Sequence, residues 1–270
     1  MKTVLTIAGS DCSGGAGIQA DLKTMAAMGC YGMSVITAVT VQNTCGVKAV
    51  YPMDAHVVRE QFDAVVSDIY PDAIKIGMLC NEEIIEVVSA GLEKIRQKGE
   101  KGPWIVLDPV LVSTSGKALL KPEAKKLLEE RLLPLMDLVT PNLSEMQELS
   151  QRQIKKKSQR EEAALWLATK YHCGVLVKGG HGKEYGASQA EDLLVDGKEK
   201  KTIWISAPFI DNPNTHGTGC TLSSAIACEL AKGCSMAESV KNGKEYLTGA
   251  IAAGLNLGKG NGPLNHIYNV

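Results

Sequence analysis

The sequence predicts an α/β fold in which helices cover both faces of a mostly parallel sheet. Short apolar runs alternate with stretches of helical periodicity along the whole chain, and this alternation is typical of parallel sheets. The 270 residues are 44% hydrophobic, which is ample for a core. No Gly/Ser/Pro-rich linker, composition break or internal repeat divides the chain, so we predict a single domain over residues 1–270.

The predicted strands are short runs rich in Val, Ile, Leu and Thr, as buried strands are. They cover residues 4–8, 34–41, 73–78, 104–107, 138–140 and 175–178. The segment 193–207 predicts a hairpin that turns at Asp196-Gly197, because Asp-Gly pairs favour tight turns between strands. Ligands of such sheets bind beyond the carboxyl ends of the strands, so the loops that follow these runs are the first candidates for a site.

The predicted helices carry apolar residues three and four positions apart. The first follows a glycine-rich loop, repeats Ile18, Leu22 and Met25, and ends before Gly29, which is a suitable residue to stop a helix. The others cover residues 55–69, 81–98, 122–133, 142–149, 159–171, 218–232 and 235–257. Pro122 suits the first turn of its helix, where the missing N–H is not needed.

Composition excludes several classes of protein. The 29 Lys and Arg residues are balanced by 30 Asp and Glu residues, so the chain lacks the basic footprint of a duplex-binding protein. Aromatic residues make up only 4% of the chain, too few for single-strand stacking platforms. No apolar run is long enough to span a membrane, and the amino terminus lacks the features of a secretory signal. We therefore expect a soluble cytoplasmic protein that binds neither nucleic acid nor membranes.

The eight cysteines do not indicate a zinc site, because none forms a C-x-x-C pair or lies near paired histidines. In a protein that is not exported, such thiols are reduced, and they are either buried as small apolar groups or reactive.

One predicted helix opens with the sequence NTHGTGCT at residues 214–221. Gly217 and Gly219 allow a tight turn and expose backbone amides, which together with the positive end of the helix dipole form an anion site. A glycine-rich turn that merely starts a helix is the weaker interpretation. Cys220 lies in the first turn, where a helix terminus can lower the pKa of a thiol. It would then act as a base or nucleophile, or else serve as apolar filler, and its position alone does not decide.

The opening loop, GSDCSGGAG at residues 9–17, predicts a small-ligand site at the end of the first strand. Its spacing fits neither a Walker motif, which needs a lysine after the glycines, nor the dinucleotide fingerprint. So many glycines allow a ligand to approach the backbone closely, which favours a binding loop over a plain turn. Asp21, about one turn into the following helix, would face either the cleft or solvent.

The segment TPNLSE at residues 140–145 places Asn142 and Glu145 on one face at the start of a helix. Their oxygens would suit a Mg²⁺ ion that keeps several waters. The alternative is a capping box, in which Asn142 caps the helix and Glu145 returns a hydrogen bond, and in isolation this interpretation is favoured.

Three further polar residues end predicted strands: Asp108, whose buried charge needs a partner, Lys178, and Gln42, whose amide can read a heteroaromatic edge.

Taken in order, these motifs resemble a known family. They are GSDCSGGAGIQADLKT (9–24), VQNT (41–44), KIGML (75–79), LDPV (107–110), TPNLSE (140–145), KGGH (178–181), NTHGTGCT (214–221) and GKGNGP (258–263). The chain resembles the hydroxymethylpyrimidine/phosphomethylpyrimidine kinase family of thiamine biosynthesis, a branch of the ribokinase-like superfamily. The resemblance covers nearly the whole chain and implies a ribokinase-like three-layer αβα sandwich.

The resemblance implies an ATP- and Mg²⁺-dependent phosphotransferase that phosphorylates 4-amino-5-hydroxymethyl-2-methylpyrimidine to its monophosphate and then to the diphosphate. It assigns Gly217, Thr218 and Gly219 to an anion hole and Cys220 to the role of base. It assigns Gln42, Asp21, Gly9 and Met78 to the pyrimidine pocket, Lys178, Thr215 and Asp108 to ATP, and Asn142 and Glu145 to the metal. A homodimer is also implied.

Two alternatives stay open. One branch of pyridoxal kinases in the same superfamily carries a second cysteine after the Asp-Pro-Val strand, and the segment 111–116 of this chain has none. A non-catalytic sensor of a nucleotide or vitamin precursor would keep the pocket and lose the base or the metal residues. This chain keeps Cys220, Asn142 and Glu145 together, which favours the enzyme.

Overall fold

Nine strands join in one sheet in the computed structural model, which describes residues 1–97, 102–111, 122–179 and 189–270. Their order across the sheet is β3-β2-β1-β4-β5-β6-β7-β8-β9. The strands are β1 Thr3–Asp11, β2 Tyr31–Asn43, β3 Gly46–Pro52, β4 Ala73–Ile76, β5 Trp104–Leu107, β6 Leu138–Val139, β7 Gly174–Val177, β8 Gln189–Val195 and β9 Thr202–Pro208. The shared sheet supports the single domain, which stays a prediction.

The centre of the sheet is parallel and its two edges are antiparallel. Strands β2, β1, β4, β5, β6 and β7 pair in parallel, as the buried apolar runs predict. The predicted hairpin is confirmed in β8 and β9. Strand β3 was not predicted. It is an edge strand paired antiparallel with β2, and none of its residues is buried, so it lacks the pattern of a buried strand.

The helices follow the predicted order. They are α1 Gly17–Ala27, α2 Ala55–Asp68, α3 Glu82–Gln97, α4 Pro122–Leu127, α5 Leu143–Ser150, α6 Lys157–Tyr171, α7 Thr218–Lys232 and α8 Met236–Ala253. The predicted helix over 122–133 is correct only in its first half, because α4 continues as a π-helical turn, Leu128–Leu132, and a 3-10 turn, Leu133–Leu135. Among the described residues, no helix is both long enough and apolar enough to cross a bilayer.

Alternate side chains of the strands feed two separate cores, one on each face of the sheet. Leu5 and Ile7 of β1 join the core beneath α2 to α6. The side chain of Val4 points to the opposite face of the sheet and joins the core that contains Met25 of α1 and Ile226 of α7. All five side chains are fully buried. The prediction of a three-layer αβα sandwich is therefore confirmed.

Candidate active site

A cavity of about 920 Å³ opens at the carboxyl edge of the parallel strands. Its walls come from the ends of those strands, from β8 and β9, and from the first turn of α7. Twelve of the thirteen predicted site residues line it: Gly9, Gln42, Met78, Asp108, Asn142, Glu145, Lys178, Thr215, Gly217, Thr218, Gly219 and Cys220. The fold thus brings together residues that lie far apart in sequence, and their individual roles stay predictions.

The start of α7 forms a cradle that only glycine can build. Gly217 caps the helix with a φ of +85°, and a side chain there would collide with the carbonyl oxygen of Gly15 in the opening loop. A Cβ on Gly219 would lie 3.0 Å from Oδ2 of Asp108 and 3.4 Å from Nζ of Lys178. The first amides of a helix have no partner within it, so this cradle can hold an anion beside the lysine ammonium.

Lys178 and Asp108 form an ion pair on the wall that faces this cradle. Their Nζ and Oδ1 atoms are 2.6 Å apart, and only 16% of the Lys178 side chain is exposed. Burial lowers the pKa of Lys178, but the Asp108 and Glu145 carboxylates outweigh burial and raise it above its usual value. The ammonium therefore stays charged where a phosphate would lie.

Asn142 and Glu145 form the capping box that the local interpretation favoured. Asn142 Oδ1 accepts a 2.9 Å hydrogen bond from Glu145 N, and Glu145 Oε2 accepts one of 2.7 Å from Asn142 N. Burial raises the pKa of Glu145 to about 7; Lys178 opposes this shift and Asp108 adds to it. Within the described ranges, no cluster of three or more Asp, Glu, His or Cys side chains forms a ready metal cage. Two carboxylates, Asp108 and Glu145, nevertheless fit a Mg²⁺ ion that draws its other ligands from water and phosphates.

Gly9, Gln42 and Met78 also line the cavity. The methyl group of Met78 packs directly on Gly9, because a Cβ on this glycine would approach that methyl group to 2.6 Å. Gln42, near the end of β2, brings a polar side chain to the same cavity. A flat ring bound here would meet the apolar Met78 side chain and one hydrogen-bonding amide.

Asp21 does not line the cavity, and its assignment to the pyrimidine pocket stays a prediction. Its carboxylate is fully buried beneath α7 and accepts two 2.9 Å hydrogen bonds from Lys75. Thr6 and Ser224 donate two more, of 2.6 and 2.8 Å. The face of α1 that carries Asp21 packs inward, where an ion pair with every partner supplied holds sheet and helices together.

Residues 11–265 match the sequence model of the family described as phosphomethylpyrimidine kinase. The chain belongs to the phosphomethylpyrimidine kinase family. It is 48% identical over 263 residues to the hydroxymethylpyrimidine/phosphomethylpyrimidine kinase of Streptomyces coelicolor, a match that covers 97% of this chain and 93% of the relative. Because this match covers nearly the whole length of both chains, this chain is a kinase.

Solved structures show the same fold. The phosphomethylpyrimidine kinase of Clostridium difficile is 42% identical, with a TM-score of 0.79 over 93% of this chain and 100% of that one. The pyridoxal kinase of Staphylococcus aureus, solved with AMP-PCP and pyridoxal, is 34% identical, with a TM-score of 0.87 over 100% of this chain and 94% of that one. The segment 111–116, whose lack of cysteine we expect to distinguish the chain from one branch of pyridoxal kinases, lies outside the described residues except for Leu111, as do Gly180 and His181.

Cys220 of this kinase faces the cavity and is partly exposed. The expectation that the helix start lowers its pKa is wrong for the unliganded protein. Burial raises the pKa of this thiol to about 11; Lys75 opposes the shift, and the Asp21 and Asp108 carboxylates reinforce it. At neutral pH the residue is a thiol that must lose its proton before it can act as a base.

Sequence reasoning left two polar pairs of the cavity without a role. Asp11 and His216, 205 positions apart, join Oδ2 to Nε2 over 2.8 Å. Both stand inside the glycine-rich motifs, so a charged residue and an imidazole among glycines were the available signal. Asp192 and Lys244 form a second pair of 2.6 Å, and both line the cavity. The surrounding sequence of β8 and α8 is ordinary and offered no such signal.

Proposed function

We propose that this kinase transfers the γ-phosphoryl group of ATP to the hydroxymethyl oxygen of 4-amino-5-hydroxymethyl-2-methylpyrimidine and, in a second reaction, to the phosphate so formed. Family membership supports the reaction type. The sequence relatives that carry the pyrimidine kinase name, at up to 48% identity in the matches described above, support this substrate over pyridoxal.

One observation carries the proposal: the glycine cradle of α7 lies directly beside the Lys178 ammonium, in the cavity that Gln42 and Met78 also line. Gly219 is within 3.4 Å of Lys178 Nζ, measured from the position of an added Cβ. Phosphoryl transfer needs positioning and stabilisation of charge more than covalent help from the protein. The backbone amides at Gly219 and Cys220 and the Lys178 ammonium would supply positive potential to a phosphoryl group held there.

The nucleotide would lie between this cradle and the β8–β9 side of the cavity. Apolar residues there, among them Ala207, Phe209 and Leu247, line the wall beyond Lys178 and suit a flat base. Asp108 and Glu145, with Asn142 beside them, would hold Mg²⁺, which would supply positive charge where negative charge develops on the phosphates. Thr215 lies next to the cradle, where its hydroxyl can donate to a phosphate.

Cys220 would serve the first reaction and hardly the second. In the first, the hydroxyl proton must leave as the oxygen bonds to phosphorus, and the Cys220 sulfur beside the cradle can take it once ionised. In the second, the acceptor is a phosphate monoester that already carries negative charge and needs no base. A single cavity can therefore support both reactions.

The test is ADP release by the purified kinase with ATP, Mg²⁺ and the pyrimidine alcohol, with products resolved by phosphorus NMR. The proposal predicts the monophosphate first and the diphosphate after it. Pyridoxal is the parallel substrate, and a kcat/KM for pyridoxal above that for the pyrimidine would replace the proposal with the pyridoxal kinase alternative. Tight binding without ADP release would indicate the sensor. The homodimer and the cytoplasmic location stay predictions, and sedimentation equilibrium tests the first.

A further inference from the structure

The loop that follows α8 contains the motif GKGNGP, residues 258–263, to which the proposed function gives no role. Glycine occupies its first, third and fifth positions. A Cβ at the first or the third position would collide with Thr44, and one on Gly262 would collide with Oδ1 of Asn214. The backbone of the 258–263 loop is therefore in direct contact with the turn between β2 and β3 and with the loop before α7.

Thr44 fastens the turn between β2 and β3 to one end of the 258–263 loop. Its hydroxyl oxygen accepts hydrogen bonds from the backbone N atoms of Lys259 and Gly260, each 3.2 Å away. Thr44 lines the cavity, as does Gln42 two residues before it. A single hydroxyl thus holds a turn that forms part of the cavity wall.

The other end of the same loop contacts the residues that precede the cradle. The Gly262 carbonyl accepts a 3.1 Å hydrogen bond from the backbone N of His216. His216 also pairs with Pro263 in an isolated parallel bridge. Because His216 directly precedes the cradle residue Gly217, this end of the loop is fixed to the segment of chain that sets the position of the cradle.

We propose that the 258–263 loop is a spacer that sets the distance between the acceptor and the phosphoryl cradle, and that Thr44 is a positioning residue for phosphoryl transfer. The inference rests on the proposed function, which places the acceptor on the side of Gln42 and Met78 and the phosphoryl group at the cradle. In-line transfer depends on the separation of these two groups, and a misplacement of about 1 Å can lower the rate about 10²-fold. Loss of the Thr44 hydroxyl should therefore impair transfer to the acceptor and leave the binding of ATP unchanged.

The experiment replaces Thr44 by valine, which has nearly the same shape and cannot accept a hydrogen bond. The pairing of β2 with β3 runs between backbones and does not use this hydroxyl, so the variant should keep the hairpin. We expect kcat for both phosphorylations to fall about tenfold or more, and KM for ATP to stay within twofold of wild type. Hydrolysis of ATP by water without acceptor should also be unchanged, because the cradle stays in place. Thr44→Ser, which keeps the hydroxyl, should retain most of the transfer rate.

Thr3→Val is the matched control. The Thr3 hydroxyl likewise accepts a hydrogen bond from a backbone N, that of Asp72 at 3.2 Å, but Thr3 begins β1 and does not line the cavity. Its replacement should lower thermal stability and leave both transfer and hydrolysis unchanged. If lost stability alone explained the effect of Thr44→Val, transfer and hydrolysis would fall together.

An unchanged kcat in Thr44→Val, or equal losses of transfer and hydrolysis, would overturn the proposal. If Thr44→Val fails to fold, Gly260→Ala provides the same comparison, because its Cβ would collide with the Thr44 carbonyl oxygen and displace the turn from the loop. Failure of the proposed function is distinct: the wild-type kinase itself would then not phosphorylate the pyrimidine alcohol, and the same variants would be compared with pyridoxal as the acceptor.

Discussion

Cys220 lies in the first turn of α7, and Lys75, Asp21 and Asp108 are close enough to act on its charge. Helix position alone would favour the thiolate, but burial acts more strongly and raises the pKa to about 11. Each neighbouring lysine is also paired with a carboxylate, Lys75 with Asp21 and Lys178 with Asp108, so neither offers its full charge to the sulfur. The position of Cys220 in the sequence could suggest a reactive cysteine, but it could not show that burial outweighs the favourable charges around the thiol.

Replacement of Cys220 by Ala should lower phosphorylation of the hydroxymethyl group about 10²-fold, the usual contribution of a general base, and lower phosphorylation of the monophosphate far less. In the wild type, the first reaction should accelerate as the pH rises towards 11, because the thiolate fraction grows. Both are measured by product-resolved kinetics from pH 6 to 10. Equal losses in the two reactions would contradict the assignment of Cys220 as base.

At the scale of secondary structure, the first turn of α5 combines a helix cap with a carboxylate of the cavity. The capping box of Asn142 and Glu145 satisfies two backbone amides, and the same carboxylate faces the cavity. The sequence offered capping and metal binding as alternatives; the structure shows the capping box, and metal binding stays a prediction. Folding keeps Glu145 in place, and burial then gives it a pKa of about 7.

Glu145→Gln should stabilise the unliganded kinase and abolish its Mg²⁺-dependent activity. The folded-state pKa of about 7 exceeds the usual value of 4.5, so the folded protein binds more protons between these values and loses stability as pH rises from 4.5 to 7. Glutamine can replace glutamate in a capping box and removes this penalty, which is on the order of 1–3 kcal/mol.

Urea unfolding at pH 5 and pH 8 measures the effect of Glu145→Gln. The gain in unfolding free energy should be present at pH 8 and largely absent at pH 5, where wild-type Glu145 is mostly protonated. A variant less stable than wild type at pH 8 would show that the carboxylate is not the strained group described here.

Helix α7 offers a matched pair of glycines, one at each end. Gly217 and Gly233 have φ values of +85° and +96°, so alanine at either position adopts a left-handed conformation that costs roughly 1–2 kcal/mol. Only Gly217 is crowded by Gly15; nothing lies within 4 Å of a Cβ on Gly233. We expect Gly217→Ala to reduce kcat about 10²-fold and Gly233→Ala to reduce it less than twofold, in assays at a temperature where both are folded. Similar losses would place the cradle elsewhere.

The elements that periodicity predicts best are those with one clear face. Helix α3 and strand β5 follow the prediction within a few residues, since their apolar positions repeat at one period. Periodicity does not predict strand β3, because this strand is defined by its pairing with β2 and not by buried apolar residues. Periodicity does not distinguish the π-helical turn after α4 from an α-helix, because Leu128 and Leu132 still repeat at helical spacing.

At the scale of the whole molecule, topology assembles the site. The connections between the parallel strands bring Asp108 and Lys178, which are 70 residues apart, into contact. In the same way, the end of β1 and the loop before α7 bring Asp11 to His216, which is 205 residues away. Such pairings have no local signature, so the sequence could indicate these residues only through a family resemblance. Asp21 shows the limit of local patterns: the sequence left open whether it faces the cleft or solvent, and the structure buries it against Lys75.

A crystal structure of the kinase with AMP-PCP, Mg²⁺ and the pyrimidine alcohol tests the central claim most directly. The account predicts that oxygens of the terminal phosphoryl group lie about 3 Å from the backbone amides at Gly219 and Cys220, with the hydroxymethyl oxygen turned towards its phosphorus. A terminal phosphoryl group bound away from the start of α7, with the alcohol away from Gln42 and Met78, would contradict it.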